Sequence, residues 1–143
     1  MKIIFLDIDG VLNSKGNIPL QEEVKYICGG LIEIPLLKKL QSFVKEHNIG
    51  IVGISSWFID YDYKEIRENL MLPILDKSYS CEYKRDIGAE KWIKENAPNA
   101  QYCFVDDCEL FFENRNHPKL IKINQMTGLQ DSDLEKIKEH LEI

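Results

Sequence analysis

The chain has no apolar run approaching the roughly 18 residues that a membrane-spanning helix needs. Its first apolar stretch, Ile3 to Leu6, stops at Asp7 and is too short for the hydrophobic segment of a secretion signal. Cysteine is sparse: the four, Cys28, Cys81, Cys103 and Cys108, include no Cys-x-x-Cys pair. That spacing argues against a zinc site, and a chain of 143 residues does not need disulfides to hold a core. Positive charge is in deficit, since 18 Lys and Arg face 24 Asp and Glu for a formal charge of −6. Binding of bulk duplex nucleic acid needs clustered positive charge and is not expected, although a local basic groove remains compatible. Internal repeats and low-complexity tracts are missing as well. The expectation is a single cytoplasmic domain over residues 1–143, with no membrane contact, burying roughly two-thirds of its unfolded surface.

What is present is an alternation of strands and helices. Ile3-Ile4-Phe5-Leu6 is a short β-branched run of the kind found in a fully buried parallel strand. Residues 13–34 read as irregular, with Gly16, Pro19, Gly29 and Gly30 as breakers. Pro35 suits the first turn of a helix, and Leu36, Leu37, Leu40, Phe43 and Val44 form one helical face that Asn48 and Gly50 can end. Ile49 to Ile54 is a second buried strand. A helix over 61–70, a short strand over Pro73 to Leu75, and a helix capped by Asp86 and running to Asn96 follow. Tyr102 to Val105 and Leu120 to Ile123 complete about five strands. Ser132 and Glu135 form a capping box for a last helix whose buried stripe is Leu134, Ile137 and Leu141. This order predicts an α/β fold, a parallel sheet covered on both faces and joined by right-handed crossovers.

In such sheets ligands gather outside the carboxyl ends of the strands. Three strands here end in polar residues: Asp7 with Asp9, Ser55 with Ser56, and Asp106 with Asp107. A single strand-end Asp explains itself as a turn residue. Three such ends converge on one sheet edge, and the two acidic ones make a carboxylate cluster, which repels itself unless a cation sits within it. Hard oxygen ligands of this kind favour Mg²⁺.

Phe5-Leu6-Asp7-Ile8-Asp9-Gly10-Val11-Leu12-Asn13 resembles the first motif of the haloacid dehalogenase-like (HAD) phosphohydrolases. The second motif, a Ser or Thr after an apolar strand, is matched by Ile51 to Ser55. The third, a Lys before a helix, is matched by Lys84, and the acidic pair of the fourth by Asp106-Asp107. The segment Leu120 to Ile123, Thr127-Gly128-Leu129 and Ser55-Ser56-Trp57 are further similar to the small HAD domain of Swiss Army Knife RNA repair-like proteins. The resemblance implies a Rossmannoid three-layer α/β/α sandwich, essentially capless, with residues 14–34 as a short flap.

It also implies roles. Asp7 would be the nucleophile that forms an aspartyl-phosphate, and Asp9 the general acid and base whose backbone carbonyl also meets Mg²⁺. Asp107, with Asp106 beside it, would complete the metal site. Ser55 would donate to the phosphoryl group and Lys84 would neutralise charge. Ser56 competes with Ser55, and Lys77 and Lys91 with Lys84. Asp60 and Asp62 are explained by helix starts. Trp57 is read as a core or rim aromatic rather than a stacking platform. Arg115, His117, Lys119 and Lys122 read as a solvated loop, and Cys103 and Cys108 as small core residues. The expected activity is a Mg²⁺-dependent phosphohydrolase acting on a phosphorylated small molecule or nucleic-acid end. The alternative is a metal-binding regulatory module of the same fold with little turnover.

Overall fold

The N-terminal apolar run forms β1 (Lys2–Leu6), whose Ile3 to Leu6 are shielded from solvent. In the computed structural model, residues 1–28 and 30–143 are described, so Gly29, one of the expected breakers, lies outside the described residues. After β1 come β2 (Val24–Ile27), β3 (Gly30–Glu33), α1 (Ile34–His47) and β4 (Gly50–Gly53). Then follow α2 (Trp57–Asp60), α3 (Tyr63–Leu70), β5 (Ile74–Lys77), α4 (Arg85–Asn96), β6 (Gln101–Asp106), β7 (Leu120–Lys122) and α5 (Asp131–Leu141).

Five strands form one parallel sheet in the order β5-β4-β1-β6-β7. The chain builds outward from β1 on one side, through β4 and β5, then crosses to the other side for β6 and β7. Strand order therefore reverses at β1, and a crevice opens beyond its carboxyl end. Asp7 stands at that point.

Strand alternation sends Ile4, Leu6, Ile51 and Val105 into one core, shared with Leu37 and Leu40 of α1, Ile66 and Leu70 of α3, and Ile137 and Leu141 of α5. Ile3, Phe5, Val52 and Phe104 enter the opposite core with Ala89, Trp92 and Ile93 of α4. The stripe expected on α1 is buried throughout, and Asn48 ends that helix in a left-handed conformation at φ 53°.

Several local expectations are corrected. Residues 24–33 are not irregular: β2 and β3 pair antiparallel, Val24 opposite Glu33 and Ile27 opposite Gly30. Ile27 and Ile32 pin this hairpin to the core, and Glu33 at its base accepts hydrogen bonds from the Ser14 backbone N–H and hydroxyl. The third strand of the sheet extends to Lys77. Asp86 does not cap α4; it lies inside the first turn, and its carboxylate accepts the backbone N–H groups of Glu113 and Asn114 at 2.8 and 3.0 Å. The capping box of α5 is formed by Gln130 and Asp133, not Ser132 and Glu135.

Candidate active site

Asp7 leaves β1 with its backbone still in sheet pairing, its N–H donating to the Val105 carbonyl at 2.9 Å. The residue is only 5% exposed. The backbone then turns, Val11 and Leu12 both donating to the Ile8 carbonyl. Gly10 sits at φ 82°, and a Cβ there would overlap the Asp107 carboxylate. Glycine is required twice over at this position, for the left-handed backbone and for the close approach.

Asp106 and Asp107 arrive from the neighbouring strand β6. Asp106 is fully buried, with Oδ1 accepting the Cys108 N–H at 3.0 Å and Oδ2 accepting Nη1 of Arg85 at 2.8 Å. The same Nη1 lies 3.2 Å from Asp7 Oδ1. Arg85 is itself buried; its Nε donates to the Glu82 carbonyl at 3.3 Å, and its guanidinium lies 4.5 Å from the centre of the Phe111 ring. Asp7, Asp106 and Asp107 offer carboxylate oxygens within 4.8 Å of one another.

One guanidinium against this carboxylate group leaves uncompensated negative charge out of water. Burial, followed by the Asp106 charge, holds the Asp7 carboxyl well above the ordinary carboxylate range, with Arg85 opposing only in part. Burial raises Asp106 as well, against the pull of Arg85 and the Cys108 N–H. Burial alone would depress the Arg85 guanidinium, but Asp7 and Asp106 outweigh it and hold Arg85 above its usual value. A set of hard, anionic oxygens short of positive charge is the chemistry that a small divalent cation such as Mg²⁺ satisfies.

Asp9 is exposed and its carboxylate stands apart from that group. Asn13 Nδ2 donates to Oδ1 at 3.0 Å and Trp57 Nε1 donates to Oδ2 at 3.1 Å. Asn13 also accepts the Gly10 N–H at 2.7 Å and donates to the Leu31 carbonyl at 2.8 Å, so it ties the first motif to the hairpin. The Trp57 ring lies against Gly30, where a Cβ would overlap it. Trp57 is thus the core aromatic expected from the sequence, with its indole N–H turned to Asp9.

Ser55 is buried to 1% and accepts the Trp57 N–H at 3.2 Å, which leaves its O–H as a donor. Ser56, exposed, lines the open cleft of about 610 Å³ together with Asp7, Asp9, Arg85 and Asp107. A larger cavity of about 760 Å³ lies far from this chemistry, between the C-terminal ends of α1 and α3.

Lys84 is the expectation that the structure corrects. It is exposed, and its left-handed backbone at φ 53° immediately precedes α4. That turn carries the next residue inward, so Arg85 and not Lys84 meets the carboxylates. The adjoining basic pair ahead of a helix was the available signal. Lys77 is exposed, and the Lys91 ammonium lies 5.1 Å from the Tyr79 ring centre. Asp62 caps α3 through the Lys64 N–H at 2.7 Å. Two residues of the basic stretch after the acidic pair meet carboxylates: His117 with Glu90 at 2.6 Å and Lys122 with Glu109 at 2.9 Å. Cys103 is a core thiol, pushed up to about 12 by burial.

The model of the family described as the HAD domain in Swiss Army Knife RNA repair proteins matches residues 3–134, and the chain belongs to that family. No curated protein and no solved structure matches it. No helix among the described residues is long and apolar enough to cross a membrane.

Proposed function

We propose, from that membership, that this protein is a Mg²⁺-dependent phosphohydrolase. It would cleave a phosphomonoester, on a small molecule or a nucleic-acid end, through an aspartyl-phosphate on Asp7. The observation that carries this reading is the division of labour among the carboxylates. Asp7, Asp106 and Asp107 converge within 4.8 Å, while Asp9 is held beside them by its own hydrogen bonds.

Asp7, Asp106 and Asp107, with the Asp9 backbone carbonyl, would hold Mg²⁺, which when bound supplies positive charge against these carboxylates and the phosphoryl oxygens. An Asp7 oxygen forms a bond to phosphorus as the ester P–O bond breaks. Protonated Asp9 gives its proton to the departing alkoxide, then takes a proton from the water that attacks phosphorus and releases Asp7. Arg85 orients Asp7 and offsets its charge, a preorganised contribution that costs no rearrangement during reaction. The Ser55–Ser56 pair at the end of β4 would supply the neutral donor for the phosphoryl group, Ser56 being the member that lines the cleft.

The test is turnover of an aryl phosphate, nucleotides and 3′-phosphate oligonucleotides with Mg²⁺ or EDTA, alongside Asp7→Asn. Mg²⁺-dependent turnover lost in Asp7→Asn supports the reading. Mg²⁺ binding with no turnover of any ester would overturn it in favour of a regulatory module.

A further inference from the structure

We infer that the cavity Asp9 shares with Trp57 and Asp60 is the leaving-group subsite, built for a hydroxyl-bearing alcohol that is uncharged beside the scissile oxygen, such as a sugar or nucleoside, with Asp60 as the residue that rejects an anion at that place. The inference rests on the phosphohydrolase reading above and deepens it.

Attack and departure at phosphorus lie roughly in line, so the leaving oxygen points away from Asp7. The group that protonates it must stand within hydrogen-bond reach on that side. Asp9 is the carboxylate free for this task, because Trp57 and Asn13 hold it and it is not one of the Asp7, Asp106 and Asp107 group. Asp9 also lines a second cavity of about 470 Å³, whose walls include Ser56, Trp57, Asp60, Tyr61 and Gly30. Asp9 and Ser56 line both this cavity and the main cleft, so the two meet where the scissile bond must sit.

The chemistry of these walls selects an occupant. Asp60 and Asp9 supply carboxylate acceptors, Ser56 a hydroxyl, and Tyr61 and Trp57 aromatic surface. Among the described residues no lysine or arginine lines this cavity. The cationic side chains of the site, Lys15 and Arg85, line the other cavity, and Arg85 is engaged by Asp7 and Asp106. Hydroxyl groups find acceptors here and an apolar face finds a ring. A carboxylate or second phosphate beside the scissile oxygen meets like charge with no counter-ion, the repulsive element that specificity requires.

The experiment compares glycerol 3-phosphate with 3-phosphoglycerate, which differ in whether a hydroxymethyl group or a carboxylate ends the leaving group. An aryl phosphate is run in parallel with Mg²⁺. The expected kcat/KM ratio favours glycerol 3-phosphate by about tenfold or more. Asp60→Asn shrinks that ratio several-fold, Asp60→Lys inverts it, and added salt compresses it in the wild type. Both esters are measured on one preparation, so partial misfolding of a variant cancels in the ratio. A ratio unmoved by Asp60→Asn and Asp60→Lys overturns the inference. So does turnover of the aryl ester without turnover of glycerol 3-phosphate. No turnover of any ester would instead overturn the phosphohydrolase reading itself.

Discussion

Arg85→Met removes a guanidinium that bonds Asp106 Oδ2 at 2.8 Å and lies 3.2 Å from Asp7 Oδ1, while a methionine stem keeps most of the packing. Breaking a buried ion pair costs about 3–5 kcal/mol when the orphaned charge stays trapped. Here Asp7 and Asp106 are already pushed toward their neutral forms by burial, so protonation relieves part of that cost. The expected loss is about 2–4 kcal/mol, read as a lower urea midpoint in EDTA at unchanged m-value. On the proposed mechanism, loss of a preorganised charged group beside Asp7 should lower kcat by about 10²–10³-fold under saturating Mg²⁺. Lys84→Met, at an exposed position, shifts stability by no more than about 0.5 kcal/mol and leaves kcat/KM unchanged. Lys84→Gly gains up to about 1 kcal/mol, because a residue at φ 53° pays for its Cβ. The reasoning is refuted if Lys84→Met loses activity while Arg85→Met retains it.

Three further outcomes follow from the geometry. Trp57→Phe keeps an aromatic ring at this position but removes the donor to Asp9 Oδ2; alkyl phosphates should slow by about tenfold while activated aryl phosphates slow less, steepening the dependence of kcat on leaving-group pKa. Equal slowing of both would assign Trp57 a purely structural role. Gly10→Ala forces a Cβ into the Asp107 carboxylate at φ 82° and should weaken Mg²⁺ binding, measured by calorimetry, as well as activity. The metal-free protein should show an inverted pH trend from Asp7. Its native carboxyl is raised, so the native state holds a proton that the unfolded state releases; its contribution to stability falls as pH rises from about 4 through the raised value. The Tm advantage of Asp7→Asn over wild type in EDTA should therefore grow with pH and shrink with Mg²⁺, and a constant difference would contradict it.

The apolar runs made the strands legible, because a buried parallel strand advertises itself by a β-branched block ending at a polar residue. Ile3 to Leu6, Ile49 to Ile54 and Tyr102 to Val105 did so, and the carboxylates that end the first and last fall together at the sheet edge. Lys84 and Arg85 were not separable in the same way. Which of two adjacent cations faces inward is decided by one left-handed residue, and Lys84 lacks the glycine that would have marked it. Asp86 resembled a cap because the loop at Glu113 and Asn114 that claims its carboxylate is distant in sequence. The β2–β3 hairpin did carry a local signal, two β-prone runs around a Gly-Gly pair. The link from Trp57 to Asp9 had none, since it depends on α2 delivering an indole across the crevice.

Asp7 is the proposed phosphoryl acceptor. Acid quenching during turnover of an aryl phosphate, followed by peptide mass analysis, tests this directly. It should find a phosphoryl adduct on the peptide bearing Asp7 in the presence of Mg²⁺, absent in EDTA and in Asp7→Asn. Sustained turnover by Asp7→Asn, or an adduct on a different side chain, would contradict the account.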